Sequence, residues 1–332
     1  MKPTHFSLLG SAAVLIGMSI CCCTSPLVPD LTNYTPRDAE TEFQDALRIK
    51  EAKTAALHMY AAAKQGHAAA QYNMGVLYTE GRGVPQNDIE ASKWYKLAAE
   101  QGHADAQCAL GYNYDFGKGV PQSNAEALKW YQESAENGCA VAQVNLGKCY
   151  KNGRMVAGDY EEAVKWFRQA AAQDNAEGNI QMGMCYESGI GVPQSFTEAV
   201  KYFRKAADLG DVEAQGYLGE CYKMGRGVPQ DYNEAVKLLI PSAEKGDARA
   251  QGALGLCYAD GLGVQKDHLA AYKWLMKAAD QGDTQAMYNV GICHLQGIGV
   301  PENEAKAMQW FRKAAALGNE QAAQALRIAA QL

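Results

Sequence analysis

One stretch of the sequence has the residue types of a catalytic motif. Ser242 and Lys245 match the S-x-x-K pattern, in which a serine nucleophile lies one helical turn before a lysine. Penicillin-recognising serine enzymes combine this pattern with S-D-N and K-T-G segments, and neither segment occurs here. At multiples of 36 residues, Ser242 also aligns with Ala98, Ser134 and Ala206. We therefore interpret Ser242 as a packing residue at a helix end and predict no catalytic residue.

The glycines and histidines do not indicate a cofactor-binding or catalytic site either. Gly189 and Gly191 resemble the start of a dinucleotide-binding loop, but no third glycine follows and no strand precedes them, so we predict turn glycines. Among the histidines only His67 and His103 share a repeat position, at the start of a helix, where capping is expected. His294 replaces a tyrosine and is expected to pack in the core or at its edge. No cofactor is predicted.

Five of the cysteines occupy one repeat position. Equivalent positions on neighbouring helices lie about 8–10 Å apart, which exceeds the roughly 7 Å limit on Cα separation for a disulfide. We therefore expect buried thiols there, and no metal site, since no His or second Cys follows at zinc spacing. Cys108 and Cys139 lie off that position, and whether they pair stays open. The five equivalent residues are Cys149, Cys185, Cys221, Cys257 and Cys293.

A 36-residue repeat organises all of these residues. The stretch from Ala68 to His103 recurs seven times without a change of length. Such a fixed period indicates a solenoid, in which each unit buries its apolar face against its neighbours. Two glycine columns mark the register: Gly75, Gly111, Gly147, Gly183, Gly219, Gly255 and Gly291, then Gly81, Gly117, Gly153, Gly189, Gly225, Gly261 and Gly297.

Each repeat carries the signals of two helices. Apolar residues at helical spacing predict helix A over about 68–80, which Gly81 and Gly83 end. Asn87 and its equivalents are favoured N-cap residues, and Glu90 three positions later completes a capping-box-like pair in five repeats. Helix B follows, with a core expected from the Ala91 column and an aromatic column. That aromatic column is Trp94, Trp130, Trp166, Tyr202, Trp274 and Trp310, with Leu238 as the exception.

The residues in these columns resemble the Sel1-like repeat family, a 36-residue variant of the tetratricopeptide repeat. The pattern A-x-x-x-L-G-x-x-Y-x-x-G-x-G-V, then A-x-x-W-Y-x-x-A-A-x-x-G, is met almost throughout residues 68–319, although Met155 and Ala157 depart from it. The resemblance implies an all-α, right-handed α-solenoid of helix-turn-helix repeats whose members act as adaptors. Some relatives carry a disulfide in each unit, a pattern absent here. The seven units are 68–103, 104–139, 140–175, 176–211, 212–247, 248–283 and 284–319.

The N-terminal residues are typical of an export signal. Lys2 precedes an apolar run from Leu8 to Ile20, which is too short to span a bilayer comfortably. Residues 1–23 resemble a bacterial lipoprotein signal with lipidation at Cys23, or at Cys21 or Cys22; an ordinary cleaved signal is the alternative. The proline-bearing segment 24–37 is expected to form a tether.

Atypical ends and composition complete this interpretation. Residues 38–67 are half in register and predict an N-terminal capping half-repeat, while 320–332 predict a C-terminal cap. The net charge of −6 provides no basic surface, so nucleic acid is not an expected partner. No apolar segment reaches the roughly 18 residues of a membrane span, so any membrane attachment would come from the lipid alone. The oligomeric state is left open.

Binding is expected on a surface of the A helices that lies away from the core columns. Positions 69, 73, 76 and 80 share one stripe by helical spacing. By resemblance to tetratricopeptide proteins this stripe lines a concave groove, where apolar anchors between amides suit an extended peptide or partner helix. Packing against adjacent helices is the alternative for its large apolar residues. The selected residues, which we call the A-helix stripe, are Asn73, Val76, Tyr112, Phe116, Asn145, Lys148, Met184, Tyr217, Glu220, Asn289 and Ile292.

Three functions remain open on the sequence. The leading one is a non-enzymatic scaffold in a bacterial cell envelope that binds a protein or peptide along the A-helix stripe. The second is an envelope enzyme with β-lactamase-like or peptidoglycan-related activity, which the resemblance to cysteine-rich relatives suggests and which lacks an acid, base and nucleophile constellation. The third is a structural spacer without a binding groove.

Overall fold

The computed structural model describes residues 29, 31–32 and 34–330. The predicted signal segment and the lipidation candidates Cys21, Cys22 and Cys23 lie outside these residues. Every regular element of the described chain is an α-helix, and none is long and apolar enough to cross a membrane. The helices are α1 (Ala39–Arg48), α2 (Ala52–Lys64), α3 (Ala68–Glu80), α4 (Asp88–Glu100), α5 (Ala104–Phe116), α6 (Asn124–Glu136), α7 (Ala140–Asn152), α8 (Tyr160–Ala172), α9 (Ala176–Ser188), α10 (Phe196–Asp208), α11 (Val212–Met224), α12 (Tyr232–Glu244), α13 (Ala248–Asp260), α14 (His268–Asp280), α15 (Thr284–Gln296), α16 (Glu304–Ala316) and α17 (Glu320–Ala329).

The predicted fold class, an all-α solenoid of seven repeats, is confirmed. The odd-numbered helices α3 to α15 are the A helices of the repeats, and the even-numbered helices α4 to α16 are the B helices. The chain divides into two compact units, one ending at Gly178 and one beginning at Asn179. Within each unit, a B helix packs on the A helix of its own repeat and on the A helix of the next. Each repeat therefore buries its apolar faces against its neighbours.

The deepest core column of the B helices is one residue beyond the predicted one. Trp94 and Trp130 are buried, but the equivalent residues of the later repeats keep some exposure. The next column packs against the glycine of helix A, whose missing side chain lets the ring touch the backbone: a Cβ on Gly147 would lie 2.5 Å from Phe167 Cε1. Every member is at most 2% exposed: Tyr95, Tyr131, Phe167, Phe203, Leu239, Leu275 and Phe311.

The N-caps of the B helices form as predicted, but the reciprocal half of the capping box does not. The side chain of Asn87 accepts hydrogen bonds from the amides of Ile89 and Glu90. Its own amide donates to the carbonyl of Tyr78 at 2.9 Å, and the later repeats repeat this bond. Since that amide is satisfied, the glutamate is available to pair with a lysine three residues on. These ion pairs are Glu90–Lys93, Glu162–Lys165, Glu198–Lys201 and Glu234–Lys237.

Left-handed backbone ends the helices, as the glycine columns predict. Gly81 has φ 70° and Gly83 has φ 72°, values that favour glycine because a Cβ costs roughly 1–2 kcal/mol there. The third repeat departs from the pattern: Met155 has φ 69° where other repeats have glycine. Asp174 has φ 55° at the end of helix B. Within the described chain these two are the non-glycine residues with positive φ.

The cysteine column lies in the core. Cys149, Cys221, Cys257 and Cys293 are buried thiols without a disulfide, and Cys185 is buried as well. Burial raises the pKa of Cys221 to about 12 and that of Cys293 to about 11, so these groups stay neutral at physiological pH. They behave as small core hydrophobes.

A buried carboxylate holds the N-terminal helix pair α1–α2 to the segment before it. Glu42 has no exposed surface. Its oxygens accept hydrogen bonds from the Tyr34 hydroxyl (2.6 Å) and the Arg37 amide (2.7 Å), and lie 2.7 Å from His58 Nδ1. Burial alone would raise the pKa of Glu42, but these hydrogen bonds outweigh it and hold the pKa below the usual 4.5.

Glu42 should make the stability of this helix pair depend on acid pH. Because its pKa is lower in the folded state, its contribution is fully present above about pH 4.5 and is lost as pH falls through the folded pKa. Glu42→Gln should cost about 2 kcal/mol at pH 7 and flatten the fall in melting temperature between pH 5 and pH 3. Glu136→Gln, at the exposed end of α6, is the control. A Glu42→Gln curve parallel to wild type would contradict this role.

Candidate functional site

The A-helix stripe keeps solvent contact along most of its length. Phe116 is 42% exposed and Asn145 is buried, while the other nine selected residues lie between these extremes. The stripe differs from the opposite face of the same helices, where Met74, Leu110 and Leu146 are fully buried. The helical spacing thus separates a core face from a partly exposed one.

In the first unit the stripe centres on an aromatic pair. The rings of Tyr112 and Phe116, one turn apart on α5, lie 4.6 Å apart between centroids. The Lys118 ammonium lies 5.0 Å from the Tyr112 centroid, within cation–π range. Val76 on α3 packs partly against the core, and Asn73 is half-buried. The result is an apolar patch with one cationic edge.

Polar residues follow on α7. Lys148 forms an ion pair with Glu177 at 2.8 Å, where Glu177 belongs to the first turn of α9. Asn145 is 8% exposed, and its Nδ2 lies 4.0 Å from Cys108 Sγ. Asn145 therefore contacts the neighbouring A helix more than solvent.

In the second unit the stripe forms a compact cluster around Tyr217. The Tyr217 ring stacks on Phe203 at 4.8 Å, and its hydroxyl donates to Met184 Sδ at 3.4 Å. The Arg249 guanidinium lies 3.3 Å from the Tyr217 centroid, and Arg249 Nε lies 3.6 Å from Glu220 Oε2. Burial raises the pKa of Glu220, and Arg249 opposes that shift.

The sequence reasoning missed Arg249 and Glu177, although its own spacing contained their position. Both align with position 69, the first member of the stripe, from which no residue was selected. In each case the residue pairs with a stripe residue of the preceding A helix, Lys148 or Glu220. The sequence does contain a signal for both pairs: the residue at position 69 of one repeat has a charge opposite to that of the residue at position 76 of the repeat before it. On α15, Asn289 is half-buried and Ile292 packs against the last core cluster.

Ser242 and the histidines occupy structural positions. Ser242 has no exposed surface and faces Gly216, on which a Cβ would lie 2.6 Å from Ser242 Oγ. Burial lowers the pKa of His294, which is 5% exposed. His67 and His103 accept hydrogen bonds from the amides of Ala70 and Ala106, as capping requires. Across residues 34–330, no cluster of three or more His, Cys, Asp or Glu could hold a metal ion.

Comparisons with known proteins place this geometry in a family. The Sel1 repeat model matches residues 68–103, 104–139, 140–175, 176–211, 212–247, 248–283 and 284–319. The crystal structure of c5321, a protective antigen of uropathogenic Escherichia coli displaying an SLR fold, is similar at 35% identity and a TM-score of 0.70. The match covers 86% of this chain, which spans only 62% of the c5321 chain.

A second solved structure resembles the chain over nearly its own full length. A Sel1 repeat protein from Oxalobacter formigenes shares 35% identity with a TM-score of 0.66, over 74% of this chain and 96% of that one. No curated protein matches the chain. Sel1 repeats generally mediate protein–protein binding, and their fold is typically a non-enzymatic scaffold. With seven matched repeats over most of its length, the chain belongs to the Sel1 repeat family.

Proposed function

We propose that this protein is an exported scaffold that binds an extended peptide or a partner helix along the A-helix stripe. The observation that supports it most is the exposure of large apolar side chains at the C-terminal ends of A helices. Phe116 is 42% exposed and Met224, at the equivalent position of a later repeat, is 52% exposed. Large apolar residues at a surface gain most from burial by a partner.

The chemistry of the stripe suits a peptide main chain. Asn73 and Asn289 carry amides that can donate to carbonyls and accept from amides of a bound segment. The Tyr112–Phe116 pair offers a flat apolar anchor beside the Lys118 ammonium. We infer a partner segment that places an apolar side chain next to an acidic one where it meets α5.

A bacterial envelope location is part of the proposal. Residues 1–23 have the pattern of a lipoprotein signal, with Cys23, Cys21 or Cys22 as the lipidated residue. Within the predicted tether 24–37, Tyr34 and Arg37 already contact Glu42 of α1, so the residues before Tyr34 would hold the repeats away from the membrane surface. The relative c5321 is a protective antigen, which is in keeping with an exported protein.

Affinity capture with matched variants tests the binding surface. The stripe variant carries Tyr112→Ala and Phe116→Ala from the A-helix stripe and Met224→Ala at the position equivalent to Phe116. The control variant removes three apolar side chains of similar size from the exposed starts of B helices, Ile89→Ala, Tyr160→Ala and Leu269→Ala, which are 53–57% exposed. A partner captured from the envelope of the source organism should bind the stripe variant at least about tenfold more weakly than the control.

The other outcomes each contradict part of the proposal. Equal capture by both variants would place binding elsewhere on the protein. Weaker capture by the control variant would assign it to the B helices. An empty capture by the wild-type chain would favour a structural spacer.

A further inference from the structure

Two cysteines outside the core column lie next to each other. Cys108 is on α5, and Cys139, the last residue of the same 104–139 unit, is the N-cap residue of α7, the first helix of the next unit. Their thiols are within hydrogen-bonding contact, and both belong to the same buried cluster. Cys108 is 3% exposed and Cys139 is 8% exposed. The chain therefore holds a buried pair of thiols between α5 and the start of α7.

The solenoid register brings these two positions together by construction. One repeat earlier, the equivalent residues Tyr72 and His103 stack with ring centroids 4.9 Å apart. Three repeats later, a Cβ placed on Gly216 would lie 3.4 Å from Asp247 Oδ1. The same two columns are thus in contact in both units of the chain. Their proximity is a property of the repeat geometry, and only here are both positions cysteine.

Cys139 stands where other A helices have a capping side chain. His103, Asn175 and Asp211 occupy that position in neighbouring repeats, and each accepts a hydrogen bond from an amide of the first turn. Cys139 makes no such bond. Its Sγ lies instead 3.4 Å from Asp105 Oδ1 and against the Cys108 thiol. Cysteine at this position therefore lacks the stabilising cap of the other repeats, and its sulfur atom contacts the sulfur atom of Cys108.

The two thiols differ in acidity. The hydrogen bond from Cys108 lowers the pKa of Cys139, against the opposing effect of burial. The contact with Cys139, together with burial, raises the pKa of Cys108 well above its usual value.

We propose that Cys108 and Cys139 form a disulfide that links α5, helix A of the second repeat, to the start of α7, helix A of the third. Before the repeats dock, one of the two cysteines, as the thiolate, attacks a disulfide oxidant such as oxidised glutathione. This releases one thiol of the oxidant and leaves a mixed disulfide. The sulfur of the other cysteine then attacks the first cysteine's Sγ and displaces the second thiol of the oxidant, so that one S–S bond forms inside the chain. Two electrons and two protons pass from the cysteines to the oxidant, which leaves as two thiols.

The bridge would fix the spacing of two A helices that carry the proposed binding surface. It closes a loop from α5 through the whole of α6 to the start of α7. Because both thiols are buried in the folded chain, the exchange takes place before these repeats dock. The inference rests on the geometry of the two repeats and does not require the proposed function, so either can fail without the other.

Peptide mapping tests the bridge directly. The full chain is unfolded, refolded with either reduced or oxidised glutathione, alkylated and cleaved with trypsin. Residues 97–118 and 130–148 are tryptic peptides that each contain one cysteine, Cys108 and Cys139 respectively. After oxidative refolding they should appear as one linked species, lighter by two hydrogens than the sum of both peptides. The melting temperature should rise by roughly 5–10 °C relative to the reduced chain.

Repeat-equivalent residues supply variants that should still fold. Cys139→Asp introduces the residue found at the equivalent positions 211, 247 and 283, and Cys108→Val introduces the residue found at 144. Both variants should lose the linked peptide and the oxidant-dependent rise in melting temperature, whereas Cys257→Ala should keep both. Unlinked peptides after oxidative refolding, or linkage of either residue to a different cysteine, would overturn the proposal.

Discussion

Replacing Gly119 by alanine should lower the free energy of unfolding by about 3 kcal/mol. Gly119 has φ 67°, where a Cβ is disfavoured. A Cβ there would also collide with the carbonyl oxygen of Asp88, the first residue of the preceding B helix. Backbone cannot rotate away as a side chain can, so the two repeats would have to separate. Gly227, Gly263 and Gly299 make the same approach in their repeats.

A second glycine separates the two causes of this loss. Gly138 has φ 88°, but a Cβ there would meet no atom within 4 Å. Gly138→Ala should therefore cost only the backbone strain, about 1 kcal/mol. Chemical denaturation of both variants, followed by circular dichroism, measures the difference. Equal losses would show that the contact between repeats contributes nothing.

Truncating Arg154 should cost about 2 kcal/mol. Its guanidinium holds the Asp115 carboxylate with two hydrogen bonds, Nη1 to Oδ1 at 2.5 Å and Nη2 to Oδ2 at 2.7 Å. The Asp115 side chain is 2% exposed, so Arg154→Ala would leave a buried carboxylate that keeps a longer hydrogen bond from the Tyr131 hydroxyl, at 3.4 Å. The half-exposed position of Arg154 keeps the loss below that of a fully buried pair.

The repeat offers a matched control for this ion pair. Arg226 and Glu187 occupy the same two columns as Arg154 and Asp115 in later repeats. Their closest contact is 3.7 Å, and the Glu187 side chain is 28% exposed. Arg226→Ala should therefore change stability by no more than about 0.5 kcal/mol. Denaturation of the two variants under the same conditions decides, and similar values for both would contradict a special role for the buried Asp115.

The periodicity of the sequence determined the elements, their order and their ends. Helix A of the first repeat was predicted over about 68–80 and is α3, Ala68–Glu80. The sequence also predicted the cap at Asn87 and the turn glycines Gly81 and Gly83. Capping and left-handed backbone depend on residues only a few positions apart in the chain. A repeat that packs only on its neighbours also makes the fold class readable from the period.

Helical spacing predicted which residues of one A helix share the stripe, but not their contacts with other helices. Spacing placed Tyr112 and Phe116 on one stripe, and the structure brings their rings together. It did not indicate that Asn145 is buried, or that Arg249 covers Tyr217. Those contacts join the A helices of consecutive repeats, which are separated in sequence by a B helix but touch directly. They therefore depend on how far each repeat is rotated against its neighbour.

Tertiary structure alone decided which columns form the deepest core and which distant residues meet. Trp94 and Tyr95 are adjacent in sequence and similar in character, and only the placement of the Tyr95 ring on Gly75 buries it more deeply. The contact of Cys108 with Cys139 has the same origin. The 36-residue period of the sequence shows which positions are equivalent. The distance between two columns of equivalent residues depends instead on the angle at which the helices pack. That angle follows from side-chain volumes in three dimensions and is not a property of any local segment.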